Sequence, residues 1–129
     1  MKVEDLMLGD WVQVEGIPLR VGGLSNYDIY VDLFRGNESE VYSQIWADEM
    51  DSIQPIPITP EILEKNGWEH KWWWVHPSTS ICFQEKITGD FRVMPDTECD
   101  KRDWFTTIKY VHELQHLYKL CGIEKEIVL

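Results

Sequence analysis

The chain has 129 residues, of which 43% are hydrophobic and 27% are charged, a composition that fits one domain or two small subdomains and excludes a disordered segment. The net charge is −11, and residues 1–58 hold eleven acidic but only three basic residues, so we expect no binding to a nucleic-acid polymer or to an anionic membrane. No run of 18 apolar residues occurs and residues 1–5 lack the start of a signal peptide, which predicts neither a membrane span nor export.

The first half of the sequence predicts five short strands with one helical turn before the last strand. We expect the strands at Trp11–Val14, Leu19–Leu24, Ile29–Phe34, Val41–Trp46 and Ile53–Ile58, and the helical turn at Asp48–Ser52. Gly22-Gly23 predicts a bulge in the second strand, and Pro55 and Pro57 confine the last strand to a sheet edge. This pattern favours a small SH3-like β-barrel over residues 1–58.

The second half predicts an antiparallel sheet with two helices. Thr59-Pro60-Glu61 is typical of a helix start, and Asn66-Gly67 is typical of a helix end. We expect the strands at Trp68–His76, Thr79–Ile87, Phe91–Met94, Trp104–Ile108 and Ile127–Leu129, and a second helix at about Lys109–Cys121. The predicted fold class is therefore α+β, with the barrel followed by an α+β subdomain over residues 59–129.

The three cysteines, Cys82, Cys99 and Cys121, are odd in number and contain no CxxC pair. Together with the absence of an export signal, this predicts reduced, mostly buried thiols and a cytoplasmic location. No spacing among them supports a zinc site, and the sequence predicts no cofactor.

Seven tryptophans are present, and three of them are consecutive. Alternation along a strand sends Trp73 to the face opposite Trp72 and Trp74, so we expect one of these rings to be covered incompletely by its own chain. Exposed aromatic surface is typical of a binding site. The predicted ligand- or partner-binding residues combine the three rings with nearby cationic and imidazole side chains: Trp72, Trp73, Trp74, His70, Lys71, Lys86 and Arg92. The alternative is that the tryptophans build the core and the seam between the two halves.

Residues 112–116 match the H-E-x-x-H pattern of zinc hydrolases on a predicted helix. A helical wheel places His112 and His116 opposite the apolar stripe of that helix, so we expect both side chains to face solvent. No histidine follows His116 to serve as a third ligand. The sequence therefore predicts no catalytic residue and no metal site, with His112 and His116 kept only as an alternative.

Three segments of the sequence form a recognisable combination. They are Leu6-x-x-Gly9-Asp10 near the start, Pro55-Ile56-Pro57-Ile58-Thr59 in the middle, and Lys109-Tyr110-Val111-His112-x-Leu114-Gln115-x-Leu117-Tyr118 in the last helix. This combination resembles a set of uncharacterised small proteins of Bacteroidetes genomes, prophages and phages. The resemblance implies a phage or mobile-element context and no established activity.

The sequence as a whole favours a non-enzymatic protein that acts by binding, as an inhibitor or adaptor of a host protein, through its acidic first half. The first alternative is a binder of a small planar anionic ligand, such as a nucleotide, at the Trp72–Trp74 strand with its neighbouring cations. The second alternative is a zinc-dependent hydrolase that uses His112, Glu113 and His116. A homo-oligomer is compatible with each of these functions.

Overall fold

The computed structural model describes residues 5–24, 30–36, 38, 40–77, 79, 81–95 and 106–129. The chain divides into two compact units, Met1–Ile56 and Pro57–Leu129, and each contains a five-stranded antiparallel sheet. Two α-helices lie in the second unit, so the predicted α+β class is confirmed. Among the described residues, no helix is long and apolar enough to cross a membrane.

The first unit contains one sheet with the strand order β4-β3-β2-β1-β5. Its strands are β1 (Trp11–Val14), β2 (Ile17–Leu24), β3 (Tyr30–Phe34), β4 (Val41–Trp46) and β5 (Ile53–Pro55), with a 3-10 helix (Ala47–Ser52) before β5. The pairing of β2 with β3 shifts register between Val21 and Gly23, which confirms the predicted bulge. β5 lies at one end of the sheet beside β1, as its prolines predict, and the described strands form no closed barrel.

The core of the first unit lies on one face of this sheet. Alternate residues of a strand point to the same side, and the buried set includes Val12, Leu19, Val21, Val31, Leu33, Ile45 and Ile53. Asp10 is buried as well, and its Oδ2 accepts a hydrogen bond at 2.8 Å from the backbone N–H of Met7. The Gly9-Asp10 pair therefore builds a turn, with Gly9 at φ 89°.

The second unit contains a sheet with the strand order β10-β9-β8-β7-β6. Its elements are α1 (Pro60–Lys65), β6 (Glu69–His70), β7 (Trp74–Val75), β8 (Ile81–Glu85), β9 (Phe91–Pro95), β10 (Thr106–Ile108) and α2 (Val111–Leu120). The single strand expected at Trp68–His76 is wrong, because the chain folds back into two short paired strands. The strand expected at Ile127–Leu129 is also wrong, and Trp104 lies outside the described residues.

Helix α1 starts and ends at the predicted signals. The hydroxyl of Thr59 accepts a hydrogen bond at 3.2 Å from the backbone N–H of Ile62, and Pro60 occupies the first position of α1. Gly67 follows the end of α1 with φ 88°, and Gly122 follows α2 with φ 70°. Both glycines take the left-handed conformation that a helix end favours, and Gly67 confirms the end predicted for α1.

The cysteine prediction needs correction. Cys82 is fully buried and disulfide-bonded, so it is not the reduced thiol that the sequence predicts. Cys121 is free but exposed at the end of α2 rather than buried, and Cys99 lies outside the described residues. The spacing of cysteines in a sequence does not reveal which thiols a sheet brings together.

Candidate functional site

The tryptophan run forms the turn of a short hairpin. His70 pairs with Trp74 across β6 and β7, and the backbone N–H of Lys71 donates to the carbonyl of Trp73 at 3.0 Å. Lys71, Trp72 and Trp73 are therefore the three residues of the turn. This turn replaces the continuous strand on which the site was predicted, so Trp72 and Trp74 do not share a strand face.

The three indoles differ strongly in burial. Trp72, at the hairpin tip, is 92% exposed, whereas Trp74 is 3% exposed in the core of the second unit. Trp73 is half-buried, and the imidazole of His70 lies 4.8 Å from the ring of Trp74, measured between centroids. Of the three predicted rings, Trp72 is thus the one that is accessible to a partner. It is exposed because it lies in a turn, not because side chains alternate along a strand.

Trp68 is a central core residue of the second unit. Its ring stacks on Phe83 with 4.3 Å between centroids, and its Nε1 donates a hydrogen bond at 2.7 Å to the hydroxyl of Tyr118 in α2. Burial raises the pKa of Tyr118, and the hydrogen bond from Trp68 acts in the opposite direction. The interpretation of the tryptophans as core residues therefore holds for Trp68 and Trp74.

The predicted cations lie on three separate segments of the second unit. Lys71 is in the hairpin turn, where its Nζ lies 3.9 Å from the carboxylate of Glu69. Lys86 follows β8 in the next hairpin, and Arg92 lies within β9. The exposed Lys71–Glu69 pair contributes little to stability, on the order of 0–1 kcal/mol. Lys71 is the predicted cation that adjoins the exposed Trp72.

Glu113, the glutamate of the H-E-x-x-H pattern, caps the start of helix α2. Its Oε1 accepts hydrogen bonds from the backbone N–H groups of Lys109 and Tyr110, both at 3.0 Å. A glutamate at the third helical position that reaches back to the cap residue is half of a capping box. This role accounts for the glutamate without any metal-bound water.

The two histidines of the pattern do not both face solvent. His112 is 7% exposed, contrary to the prediction, and His116 is half-buried. The His112 ring lies 6.0 Å from that of Tyr110 and 5.7 Å from that of His116. No three His, Cys, Asp or Glu residues of the described chain are grouped to hold a metal ion. Two histidines alone are one ligand short of the protein contribution to a catalytic zinc site.

A second exposed apolar surface, which sequence reasoning missed, lies on β4 of the first unit. Among the described strands, β4 pairs only with β3 and so forms an edge of the sheet. Val41, Tyr42 and Trp46 are 48%, 47% and 45% exposed, and we call these three residues the β4 surface. An apolar edge strand is a template for pairing with another chain. The available signal was that Tyr42 and Trp46 fall on the strand face opposite the buried Ile45.

Acidic residues surround the β4 surface along the chain. Four exposed carboxylates precede or follow the strand: Glu38, Glu40, Glu49 and Asp51. The guanidinium of Arg35 lies 5.8 Å above the ring of Tyr42 and is the one cation described at this surface. The β4 surface is therefore an apolar patch in acidic surroundings.

His76 is a buried titratable group in the second unit. Its ring lies edge-on to Trp68 with 5.3 Å between centroids, and a Cβ at Gly67 would come within 2.7 Å of its Nε2. Burial, followed by the charge of Lys125, lowers the pKa of His76, whereas a hydrogen bond to the Asn66 backbone raises it. The fold therefore favours the neutral imidazole.

No protein-family model matches the chain, and neither a curated protein nor a solved structure matches it. The function is therefore inferred from the surfaces and contacts of the described residues.

Proposed function

We propose that the protein is a non-enzymatic binding protein that docks a basic, extended segment of another protein on the β4 surface. The resemblance to small phage and prophage proteins adds the context, an inhibitor or adaptor that occupies a host protein. The observation that carries the proposal is a sheet edge on which Val41, Tyr42 and Trp46 are each nearly half exposed.

The edge supports binding of a strand. A peptide that adds to a sheet edge gains main-chain hydrogen bonds, and its alternate side chains contact those of the edge strand. Tyr42 and Trp46 are aromatic, and aromatic residues dominate the binding energy of many interfaces. An extended segment with apolar residues at alternate positions matches this surface.

Charge supports a basic partner. The exposed carboxylates of Glu38, Glu40, Glu49 and Asp51 lie beside the strand in sequence, and residues 1–58 hold eleven acidic and three basic residues. This excess of negative charge accelerates association with a positively charged segment and disfavours the binding of an acidic segment. The preference is expected to weaken as salt is added.

The arrangement of the first unit supports an SH3-like barrel as the scaffold of this function. Five short strands with a 3-10 helix before the last match the pattern that favours such a barrel, and the described strands leave it open at the β4 edge. We therefore propose that the first unit is an SH3-like barrel.

The test uses the whole chain and the peptide acetyl-Lys-Val-Lys-Val-Lys-Val-Lys-amide as a probe, followed by amide chemical shifts. The same peptide with glutamate in place of lysine is the charge control. Trp46→Ser removes an indole from the β4 surface. Trp72→Ser, the control variant, removes an indole from the second unit that is more exposed, 92% against 45%.

We expect the lysine peptide to shift the amides of β4, and Trp46→Ser to weaken its affinity by about tenfold, while Trp72→Ser leaves it unchanged. The glutamate peptide should bind at least about tenfold more weakly at low salt. Absence of binding by the lysine peptide, equal binding of both peptides, or shifts confined to the second unit would overturn the proposal.

A second candidate function, a small planar anionic ligand at the tryptophan run, is favoured by one observation. Trp72 is 92% exposed next to Lys71, so a planar anion has a ring to stack on and a cation beside it. Trp74 is buried, however, and Lys86 lies in a different hairpin. Of the three consecutive tryptophans, Trp72 is therefore the one that is widely exposed for stacking on a planar ligand. The β4 surface has three exposed apolar side chains, so it supports a protein partner more strongly.

A further inference from the structure

A pocket of about 310 Å³ lies in the first unit between the turn that contains Gly9 and the strands β2 and β3. Among the residues that line it are Leu8, Gly22, Phe34, Arg20 and Glu38. Its volume is at the lower end of the range for small-molecule sites. The lining therefore combines apolar walls with one cation and one anion.

Arg20 is held in place on this pocket. Its Nε donates a hydrogen bond to the carbonyl of Gly36 at 2.5 Å, and its guanidinium lies 5.9 Å from the centroid of the Trp11 ring. Within the part of the chain that the structure describes, no carboxylate lies within ion-pair distance of Arg20. The terminal nitrogens of its guanidinium form a fork that suits a carboxylate.

The apolar wall is built by a close approach of Phe34 to the backbone. A Cβ at Gly22 would lie 2.0 Å from two atoms of the Phe34 ring, so the ring can approach the bulge of β2 this closely only because this residue is glycine. Leu8 supplies a further apolar side chain. An apolar group of a ligand thus has a fixed ring and an aliphatic side chain to contact.

Glu38 gives the pocket a second, opposite charge. It is exposed in the segment that joins β3 to β4, two residues after Gly36, the hydrogen-bond acceptor of Arg20. Arg20 attracts a simple anion, but Glu38 repels it. A ligand that has both a negative and a positive group can pair the first with Arg20 and the second with Glu38.

We propose that this pocket binds a free α-amino acid with an apolar side chain. Its carboxylate pairs with Arg20, its ammonium group with Glu38, and its side chain packs on Phe34 and Leu8. The same carboxylate chemistry is found at the C-terminus of a polypeptide, which lacks the ammonium group. Glu38 also lies beside the β4 surface in sequence. Arg20, Phe34 and Leu8 belong to the pocket alone, so the Arg20 variants test this site without altering the β4 surface.

The test titrates the intact protein with three probes and follows the backbone amides of Gly9, Val21 and Phe34. L-Phenylalanine has both charges, N-acetyl-L-phenylalanine has only the carboxylate and represents a peptide C-terminus, and L-phenylalaninamide has only the ammonium group. The variants are Arg20→Gln and Glu38→Gln, with Arg35→Gln as the matched control, because Arg35 lies on Tyr42 and does not line the pocket. Thermal melting verifies that each variant is folded, and Arg20→Lys tests whether charge alone suffices.

We expect L-phenylalanine to bind at concentrations below about 10 mM and to bind at least about tenfold more tightly than either blocked form. Arg20→Gln should weaken the affinity for L-phenylalanine by about tenfold or more, and Arg20→Lys should weaken it by less. Arg35→Gln should leave this affinity unchanged. Glu38→Gln should weaken the affinity for L-phenylalanine but leave the affinity for N-acetyl-L-phenylalanine unchanged. No binding of L-phenylalanine, equal binding of the amide, tighter binding of the N-acetyl form, or an equal loss in Arg35→Gln would each overturn the assignment.

Discussion

The carboxylate of Glu113 accepts a hydrogen bond at 3.0 Å from the backbone N–H of Tyr110, the residue that precedes helix α2. The same oxygen accepts a second hydrogen bond from the N–H of Lys109. A segment with the letters of a zinc-hydrolase motif is thus the start of a capped helix. A glutamate at the third helical position is common in capping boxes, so the pattern arises without any catalytic requirement.

Removing this cap should destabilise the protein. We expect Glu113→Ala to lower the free energy of unfolding by about 1 kcal/mol, because two backbone N–H groups lose their acceptor. Glu113→Gln should lower it by less, since the amide oxygen still accepts. Urea unfolding at neutral pH measures both variants. Unchanged stability of Glu113→Ala, combined with loss of tightly bound zinc from the purified protein, would contradict the capping role.

The consecutive tryptophans should separate clearly in their effects on stability. Trp74 is 3% exposed, so Trp74→Ala should cost about 3–5 kcal/mol, the range of core aromatic truncations. Trp72 is 92% exposed, and Trp72→Ala should stay within about 0.5 kcal/mol of the unchanged protein. Thermal melting of the two variants, with the half-buried Trp73→Ala between them, tests this order. Equal destabilisation by all three would show that the run is uniformly core.

Local signals in the sequence predicted the structure well where a backbone group needs a nearby partner. Thr59 caps α1 through its own side chain, and Gly67 takes the positive φ of a helix end. Gly22-Gly23 marks the bulge of β2. Each of these signals depends on residues that are close together along the chain, so it can be recognised from the sequence alone.

Predictions failed where distant residues decide the outcome. The turn at Lys71–Trp73 contains no Gly, Pro, Asn or Asp, so nothing in the sequence interrupts the apparent strand. His112 lies opposite the apolar stripe of its own helix but is 7% exposed, because a helical wheel describes one helix and not the layers around it. The β4 surface was missed because strand order, and hence which strand is an edge, depends on tertiary pairing.

The disulfide at Cys82 gives a direct chemical prediction. Cys121 is free and exposed, and the chain has three cysteines. We therefore expect thiol titration of the denatured, unreduced protein to give one thiol per chain, and Cys121→Ser to give none. Three reactive thiols in the unreduced protein would contradict the disulfide and would support the reduced state that the sequence predicts. Disulfides are rare in a reducing cytoplasm, so the same titration on protein purified without oxidant also tests the expected location.

The last prediction concerns acid sensitivity of the second unit. Burial against Trp68 and the charge of Lys125 lower the pKa of His76 below its ordinary value of 6.5, although Glu69 and the Asn66 backbone act in the opposite direction. In the unfolded chain the imidazole keeps its ordinary pKa, so below pH 6.5 the unfolded state binds more protons than the folded state.

The stability that His76 contributes is therefore fully present above pH 6.5 and is lost as the pH falls from 6.5 through its lower folded pKa. We expect the free energy of unfolding, measured with urea between about pH 7.5 and pH 5.5, to decrease on acidification in the unchanged protein. His76→Gln removes the titrating group and keeps an amide that donates, so its profile should be flatter in the same interval. His70→Gln, at an exposed position six residues away, is the matched variant and should retain the slope. A slope that persists in His76→Gln and disappears in His70→Gln would assign the acid sensitivity to the hairpin histidine instead.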